Sequence, residues 1–453
     1  MQLKKNLLCK ENIKSITLLR FFILITFLNT SVPLFSQQQV IINGYEETVY
    51  PIYADTLTII SSLNSLKELF KSKEIVGMGE ATHGTHEFFD SKIKMFQFLV
   101  MECHYRIFGI EASLGAQMYV NEYVKNNIGN IQEVMKYLDW PWGTEEVRDL
   151  VEWIKNYNLE KDEKDKIAFY GFDIQNITPE IQYVNQFLSS DTTDLFSSFR
   201  KITPLLINNS EYEVFKLIYK EKQIFKDSLF AINNRLKYWI QTNRTILSAK
   251  FGEREFERIN FCIENYNQSL YFVFGGNSSL NFRDSCMASN VLKIHRLENN
   301  KMFIWAHNGH IGLEYQKIPI MGTYIKRSLK EKYYAIGFAF DHGYFMAFKG
   351  PNTIIGAIYK FIFNRKKMYK GLIECEVKTN NKNSLTNELL KTNLESFFID
   401  LNSTSNVLFT TPQHYYDIGA SFLNYRHASS KIISRDEFDG LIFFNTSSAT
   451  KLL

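Results

Sequence analysis

The stretch IVGMGEATHGTHEFF, residues 75–89, decides the interpretation of this chain. It begins as a short apolar run typical of a buried strand, continues through glycines, histidines and glutamates, and then enters a helical pattern. Two interpretations compete for it. Gly77 and Gly79 fit the start of a dinucleotide-binding turn, whereas Glu80 and His83 fit the acid–base end of a hydrolytic site.

The dinucleotide-binding interpretation is weak at several positions. Its fingerprint is G-x-G-x-x-G between a strand and a helix, with an acid about 20 residues further on for the ribose. Thr82 stands where the third glycine or alanine belongs, and Glu80 would put a carboxylate beside the pyrophosphate. The next acid at a strand end, Glu111, lies more than 30 residues after Gly77. We therefore expect no dinucleotide cofactor.

Three short apolar runs in the first part of the chain end in acids. EIVGMGE ends at Glu80, YRIFGIE at Glu111 and KIAFYGFD at Asp173, and each run precedes a helical pattern. This alternation predicts βαβ units and a parallel sheet. In such sheets function gathers at the carboxyl ends of the strands. We therefore expect the three carboxylates at one edge of the sheet.

The chain as a whole predicts an α/β core that is interrupted by helices. Residues 1–36 have the pattern of a signal peptide, because lysines precede an apolar core of about 15 residues and a polar SQQQ follows. The first part of the core spans 37–180. Residues 181–300 have helical periodicity and almost no strand signals, and 301–453 returns to the α/β pattern. The predicted fold class is α/β, with a mostly parallel sheet flanked by helices.

Composition and the N-terminal segment indicate in which compartment the protein acts and which classes of partner it does not bind. A formal charge of +4 on 453 residues, without a run of five basic residues, gives little support for nucleic-acid binding. The uncharged centre of the first segment, FFILITFL, is shorter than the ~20 residues of a spanning helix. We expect export to the periplasm or beyond, with no stable membrane insertion after cleavage; an uncleaved anchor is the alternative. The cysteines after residue 36 lack CxxC spacing and are expected to be buried.

Histidines beside carboxylates suit proton transfer. An imidazole titrates near neutrality and can take a proton from water and return it to a leaving group, while a carboxylate fixes its tautomer. Glu80 and His83 have the spacing for such a pair, although they could merely cap the next helix. The motif WAHNGH adds His307 and His310 at another strand end. With His86, four of the nine histidines lie in these two stretches, which favours a common site.

Other chemistries receive less support from the sequence. The chain contains no G-x-S-x-G nucleophile elbow and no HExxH motif. The same histidines and glutamates could hold zinc or manganese, but no spacing demands a metal, and we expect none. A metal-dependent hydrolase of amides or peptides and a non-enzymatic binder of haem or another small ligand stay open as alternatives.

The chain resembles the erythromycin esterase family in a set of ordered blocks. These are GMGEATHGTHEFF (77–89), IFGIEAS (107–113), DWPWGTEEVRDLVEWIKNYN (139–158), IAFYGFDIQ (167–175), RDSCMASN (283–290), WAHNGHI (305–311), YYAIGFAFDHGYF (333–345) and FDGLIFF (438–444). The resemblance runs from about residue 45 to the C-terminus. It implies a largely helical portion over the active-site cleft and a hydrolase in which a histidine activates water to open a macrolide lactone.

Carried over by position, the resemblance assigns catalytic roles to five residues. His83 is the general base and Glu80 is its orienting carboxylate. Glu111, His307 and His310 complete the polar site as hydrogen-bonding or proton-relay groups. The implied substrate is a small molecule, either a macrolide lactone or another bulky ester, and no cofactor is implied. The sequence does not indicate an oligomeric state.

Three further residues are predicted to bind substrate. Lys92 lies nine residues after the histidine base, where the antibiotic esterases of the family carry an arginine near the reacting group. Lysine supplies the charge without the planar fork of arginine, so substrate orientation is expected to differ. His86 and Arg283 complete this set. A solvated helix position is the alternative for Lys92, and a helix cap or a buried ion pair is the alternative for Arg283.

Overall fold

The computed structural model describes most of the chain after the predicted signal peptide. The described residues are 37–52, 62–138, 140–191, 193–204, 222–274, 280–314, 318–349, 372–379, 384–422 and 428–453. The predicted signal peptide, residues 1–36, lies outside them, so cleavage and export stay predictions. Within the described ranges, no helix has the length and apolarity that crossing a membrane requires.

A large mixed sheet forms the centre of the molecule. The strands are β1 (Gln38–Ile42), β2 (Tyr45–Pro51), β3 (Ile75–Met78), β4 (Ile107–Ser113), β5 (Ala168–Asp173), β6 (Met302–Trp305), β7 (Tyr333–Lys349), β8 (Leu372–Val377), β9 (Ser396–Asp400), β10 (Gln413–Tyr416), β11 (Ser421–Phe422), β12 (Ser429–Ile432) and β13 (Gly440–Ser447). The order of the large sheet is β1-β2-β9-β13-β7-β3-β6-β4-β5, with β8 and β11 also paired to β7, whereas β10 and β12 form a separate two-stranded sheet. Neighbours from β13 to β5 run parallel, whereas β1, β2 and β9 add an antiparallel end. The predicted fold class is confirmed.

Helices cover both faces of this sheet. They are α1 (Lys67–Lys71), α2 (His86–Cys103), α3 (Leu114–Asn126), α4 (Ile131–Val134), α5 (Glu145–Leu159), α6 (Pro179–Leu188), α7 (Asp194–Ile202), α8 (Lys222–Thr242), α9 (Arg244–Phe251), α10 (Glu253–Phe274), α11 (Leu280–Glu298), α12 (Asn308–Ile311), α13 (Met321–Leu329), α14 (Leu385–Leu390), α15 (Val407–Thr410) and α16 (Ser434–Glu437). Helices α2, α3 and α6 follow β3, β4 and β5 directly, as the alternation of strand and helix patterns predicts.

The central strands separate two buried clusters. Val76 and Met78 of β3 pack with α2 and α5 on one face, whereas Ile75 packs with α6, α10 and α11 on the other. In β6, Phe303 and Trp305 point to the first face. Successive side chains of a strand alternate between its faces, and here both faces are covered. This is why the central strands appear in the sequence as continuous apolar runs.

The described part of residues 181–300 consists of helices. Helix α10 shows why: Phe256, Ile259, Ile263 and Leu270 recur at helical spacing and are all buried. They pack in the same buried cluster as α6 and as Tyr170 and Phe172 of β5. The helices therefore pack on the sheet itself, although the boundaries of a separate insertion stay a prediction.

The four described cysteines are buried and form no disulfide with one another. Burial raises the pKa of the Cys103 and Cys286 thiols to about 11. The pKa of the Cys262 thiol is raised further, again by burial. A protonated, buried thiol behaves as a small apolar side chain. The expectation that the cysteines belong to the core is confirmed.

Strand β7 differs from its prediction. The sequence indicates two strands, YYAIGFAF and YFMAFK, but the structure has one that continues through Gly343. Gly343 has φ 126°, and a Cβ there would lie 2.2 Å from Ser447 O. Only glycine fits that backbone conformation and that close approach. On one side of Gly343 the strand pairs with β3 and β13, and on the other side it pairs with β8 and β11.

Candidate active site

Four neighbouring strands bring polar residues to one edge of the sheet. Strands β3, β6, β4 and β5 lie side by side and run parallel. Glu80 follows β3, Glu111 lies near the end of β4, Asp173 ends β5 and His307 follows β6. Because the carboxyl ends of parallel strands meet at one edge, these groups gather there, as the sequence predicts.

Glu80 and His83 form a histidine–carboxylate pair on the loop between β3 and α2. His83 Nδ1 lies 2.6 Å from Glu80 Oε1, which assigns the ring proton to Nδ1 and makes it the donor. Glu80 is fully buried, and the His83 side chain is 13% exposed. Among the described residues no protein atom hydrogen-bonds to His83 Nε2. This nitrogen is therefore free to accept a proton from water.

Two donors hold the second oxygen of Glu80. The Lys92 ammonium pairs with Oε2, and Trp305 Nε1 donates to the same oxygen at 2.9 Å. Burial opposes the charged form of Glu80, but the charge of Lys92 and the hydrogen bond from His83 outweigh it and hold its pKa below the usual value. Glu80 is therefore a carboxylate when it orients His83.

Lys92 supports Glu80 and does not line an open surface. It is fully buried, and its Nζ lies 4.4 Å from the centre of the Trp305 ring and 5.3 Å from that of Phe338. Aromatic faces attract a cation and compensate part of its lost hydration. Burial nevertheless lowers the pKa of Lys92 to about 8. Helix α2 turns this side chain inward, so the alternative of a solvated helix position is wrong for Lys92, and its contact with substrate stays a prediction.

Gly79 allows the loop to approach the WAHNGH motif. A Cβ at this position would lie 2.1 Å from Asn308 Oδ1 and 3.1 Å from its Cα. The close approach lets Asn308 N donate to Glu80 O at 3.0 Å. Gly79, one of the two glycines that suggest a nucleotide-binding turn, therefore lets the two histidine-bearing loops come together.

Arg283, on α11, ties three site residues together. Its Nε lies 2.8 Å from Asp173 Oδ1, its Nη2 lies 2.7 Å from Glu111 Oε1 and its Nη1 lies 3.0 Å from His310 Nε2. Burial opposes its charge, but Asp173 and Glu111 outweigh burial and raise its pKa. The sequence left substrate binding and a buried ion pair open for Arg283. The structure shows the buried ion pair.

Glu111 connects this ion-pair group to the WAHNGH loop. Its Oε2 accepts a hydrogen bond from His307 N at 3.0 Å. Burial alone would raise the pKa of Glu111, but the charges of His310 and Arg283 hold it far below its usual value. Glu111 therefore stays ionised and fixes the start of the loop that carries both histidines.

This shift predicts a specific pH dependence of stability. The folded-state pKa of Glu111 is lowered, so the unfolded chain binds more protons, and the contribution of Glu111 is lost as pH falls below its ordinary value of 4.5. We expect Glu111→Gln to be less stable than the wild type at neutral pH, with the difference shrinking below about pH 4.5. Urea unfolding at a series of pH values measures this. Exposed Glu160→Gln is the control, and a difference independent of pH would contradict the expectation.

His310 forms a second histidine–carboxylate pair. Its Nδ1 donates to Asp284 Oδ1 at 2.8 Å, and its Nε2 lies 3.4 Å from Glu111 Oε1. Asp284 is held in turn by Met321 N at 2.9 Å. Burial opposes the charged ring, but Asp284 and Glu111 outweigh it and raise the pKa of His310. Arginine can only donate, so the contact with Arg283 Nη1 makes Nε2 the accepting nitrogen and leaves the ring proton on Nδ1, where it faces Asp284.

His307 uses both ring nitrogens within the protein. Gly309 N donates to Nδ1 at 3.1 Å, and Nε2 lies 3.4 Å from Asp417 Oδ1 and 3.2 Å from Gly419 N. Its ring centre lies 5.1 Å from that of His83. Burial lowers the pKa of His307, so the ring is neutral. His307 therefore forms a wall of the site beside His83.

His86 points to a different partner. Its Nδ1 lies 2.7 Å from Glu146 Oε1, in the first turn of α5, and its side chain is 40% exposed. The hydrogen bond that His86 donates to Glu146 raises the pKa of His86. The same Glu146 oxygen accepts from Lys451 N at 3.2 Å. The structure does not bring His86 into the hydrogen-bonded group around His83, so its predicted contact with substrate gains no support.

Sequence reasoning missed two groups at the site. Trp142 places its ring centre 6.3 Å from that of His83 and donates from Nε1 to Glu111 O at 3.2 Å. Its only sequence signal was its place in the block DWPWG. Asp417 follows β10 and has no motif around it that indicates a site.

No set of metal ligands is apparent in the parts of the chain that the structure describes. Within them, no three or more His, Cys, Asp or Glu side chains are arranged to hold a metal ion. The metal-dependent alternative and the haem-binding alternative stay predictions for experiment.

The parallel sheet with histidine–carboxylate pairs at its carboxyl edge defines an α/β protein equipped for acid–base chemistry. The model of the erythromycin esterase family matches residues 100–447. The match spans well over half of the sequence, and the chain belongs to the erythromycin esterase family. Membership supports a hydrolase of that type. The matched range begins after Glu80 and His83, so the assignment of that pair depends on the geometry above.

Similar proteins are distant in sequence. Erythromycin esterase type II of Escherichia coli is 24% identical over 308 residues, 60% of this chain and 70% of the relative. The putative hydrolase YbfO of Bacillus subtilis (strain 168) is 23% identical over 319 residues, 61% of this chain and 66% of the relative. At these identities, the substrate and the mechanism of the relatives cannot be assigned to this chain.

Three solved structures share the fold. A succinoglycan biosynthesis protein superposes with a TM-score of 0.73 at 19% identity, covering 89% of this chain and 96% of its own. A Bacillus cereus protein has a TM-score of 0.72 at 20% identity, with coverages of 89% and 96%. An erythromycin esterase variant, EreC with a histidine replaced by asparagine, in its open conformation, has a TM-score of 0.62 at 18% identity, with coverages of 87% and 95%.

Proposed function

We propose that this protein hydrolyses a bulky ester, with a macrolide lactone as the favoured substrate, by histidine-activated water. One observation carries the proposal. Of the three histidines at the sheet edge, His83 alone keeps a ring nitrogen without a hydrogen bond to any described residue, whereas His307 and His310 face protein groups with both nitrogens. A general base needs such a nitrogen within reach of water.

The reaction follows from the charges around His83. Nε2 takes a proton from water as the water oxygen attacks the ester carbonyl. The hydrogen bond from Nδ1 to ionised Glu80 stabilises the imidazolium that forms. When the tetrahedral intermediate collapses, the C–O bond to the alcohol breaks and the imidazolium returns its proton to the leaving alkoxide. No covalent bond to the protein forms.

Arg283 is a fixed cation at the same sheet edge, and its field supports the developing oxyanion only in part, because Asp173 and Glu111 offset its charge. Fixed groups that need no reorganisation during the reaction stabilise a transition state strongly. Since Lys92 is buried behind Glu80, it acts on the base and not on the oxyanion.

The favoured substrate takes its support from the family and from the name of the Escherichia coli relative, an erythromycin esterase. We expect the purified protein to convert erythromycin into a product heavier by one water, equally with and without EDTA. Mass spectrometry of the reaction measures this. An unchanged mass would remove erythromycin as a substrate, and a panel of esters and amides would then test the reaction type.

The same assay, together with a haem titration, distinguishes the proposal from the two alternatives. Activity that EDTA abolishes and an added divalent ion restores would replace this proposal with the metal-dependent hydrolase. A Soret band of the haem-titrated protein that His310→Ala removes would favour the haem binder. An ester hydrolase without either property supports the water-activating histidine.

A further inference from the structure

The six residues that follow strand β13, 448–453, lie at the edge of the sheet that carries the proposed base. Strands β13 and β3 pair with β7 from its two sides, and all three strands run parallel. The chain that leaves β13 therefore emerges at the same edge as the chain that leaves β3 and carries Glu80 and His83. Topology thus brings the segment 448–453 beside the loop of His83.

The segment pairs by its backbone with the residues directly after His83. His86 N donates to Ser448 O at 2.9 Å, and Thr450 N donates to Gly84 O at 3.1 Å. An isolated antiparallel bridge lies between these two hydrogen bonds. The loop that carries His83 is therefore fixed on its C-terminal side by this segment.

The same segment pairs with the residues directly after Trp142. Glu145 N donates to Lys451 O at 2.8 Å, and a second isolated antiparallel bridge forms beside this hydrogen bond. The ring centre of Trp142 lies 6.3 Å from that of His83. The segment 448–453 therefore joins the loop of the proposed base to the loop of its aromatic neighbour.

Glu146, in the first turn of α5, joins the same three parts of the chain with its side chain. Its Oε1 accepts a hydrogen bond from His86 Nδ1, at the start of α2, at 2.7 Å. The same oxygen accepts from Lys451 N at 3.2 Å. The residue is 8% exposed, so water competes little for this oxygen. Hydrogen bonds to a carboxylate are stronger than those between neutral groups. The junction therefore depends on one buried acceptor that both donors share.

We propose that Glu146 is a positioning residue: by holding His86 and Lys451 together, it fixes the loop of His83 against the loop of Trp142. Misplacement of a reacting group by about 1 Å can lower a rate by about 100-fold. The effect of Glu146 on turnover rests on the proposed ester hydrolysis. Its effect on the two loops does not, because their order is a property of the resting protein.

Hydrogen exchange followed by mass spectrometry measures the junction without turnover. Glu146→Ala removes the shared acceptor, so peptides that cover 83–87 and 142–146 should exchange about 10-fold faster than in the wild type. Glu146→Gln keeps an amide oxygen that can accept from both donors and should restore slow exchange. Glu145→Ala is the matched control, because it removes the same charge from the same turn and keeps the backbone bond to Lys451. Equal exchange in Glu146→Ala and the wild type overturns the proposal.

Kinetics on an ester that the wild type hydrolyses measure the consequence for the proposed base. Glu146→Ala is expected to lower kcat by about 10-fold to 100-fold with little change in KM, and Glu146→Gln to recover most of the loss. Glu145→Ala should match the wild type. If Glu146→Ala does not fold, Lys451→Pro replaces it, because proline has no N–H to donate, and exposed Lys451→Ala is its control.

Two kinetic results would overturn the positioning role. One is an equal kcat in Glu146→Ala and the wild type. The other is an equal loss of kcat in Glu145→Ala, which would point to the charge of the helix terminus and not to the junction. A wild type inactive on every ester would overturn the proposed function alone, since the exchange result stands without turnover.

Discussion

Replacing His83 by asparagine is expected to lower kcat by about 10²–10⁴-fold, the usual contribution of a positioned general base. The asparagine amide lies close to the place of Nδ1 and can still donate to Glu80, but no group remains at the place of Nε2 to take the proton of water. The loop, Glu80 and the ion pair of Glu80 with Lys92 are retained. Steady-state kinetics on an ester that the wild type hydrolyses measure the loss.

The chain offers a matched control for this substitution. His104 is exposed, caps the C-terminus of α2 and has φ 61°, a conformation that asparagine tolerates well. It lies just before β4 begins, at the edge of the sheet opposite to Glu80 and His83. His104→Asn should therefore keep the wild-type kcat. A His83→Asn variant within about tenfold of the wild type would show that another group activates the water.

The core of the fold is predictable because its strands are buried on both faces. The runs that become β3, β5 and β6 are four to six residues long, fully buried and followed by polar residues. A strand covered on both faces has no polar face to obscure its pattern, so each run stands out in the sequence. The helices between these strands are equally clear because their apolar residues recur at helical spacing.

The antiparallel end of the sheet could not be located in the same way. Strand β2 alternates buried and partly exposed residues after its first two positions, and one of its buried residues is Glu47, so its apolar content is low. Its one local signal is the pair Asn43 and Gly44, with φ of 51° and 83°, which is typical of a tight hairpin turn. Pairing of β2 with β9 joins segments that are more than 300 residues apart. Such a contact depends on the assembled core and leaves no local pattern.

Some residues of the candidate site could be predicted from the sequence and others could not, for the same reason. Glu80, Glu111 and His307 follow strands of one sheet, so their meeting follows from topology. The inward direction of Lys92 does not, because it depends on which face of α2 meets the sheet. Asp417 comes from a loop after β10 and reaches His307 across more than 100 residues of chain. Strand ends can be predicted from local sequence, whereas partners supplied by distant loops cannot.

The buried ion pair between Lys92 and Glu80 gives the largest expected effect on stability. Lys92→Met is expected to lower the free energy of unfolding by about 3–5 kcal/mol, because it leaves the Glu80 carboxylate buried without its ammonium partner. Methionine keeps most of the volume and the contacts with Trp305 and Phe338. Urea unfolding near pH 7 measures the change, and exposed Lys136→Met, whose pair with Glu133 lies in solvent, should cost less than about 1 kcal/mol.

The double variant Lys92→Met/Glu80→Gln distinguishes the buried charge from lost packing. It removes both charges together, so no unpaired ion remains, and most of the stability should return. Its activity should not return, because a neutral amide cannot stabilise the imidazolium of His83 as a carboxylate does. In Lys92→Met alone, burial still raises the pKa of Glu80 while its main opposing charge is gone, so the acid limb of the activity profile should move to higher pH. If the double variant were as unstable as Lys92→Met, packing and not charge would be the function of Lys92; if the acid limb stayed in place, Lys92 would not be what keeps Glu80 ionised.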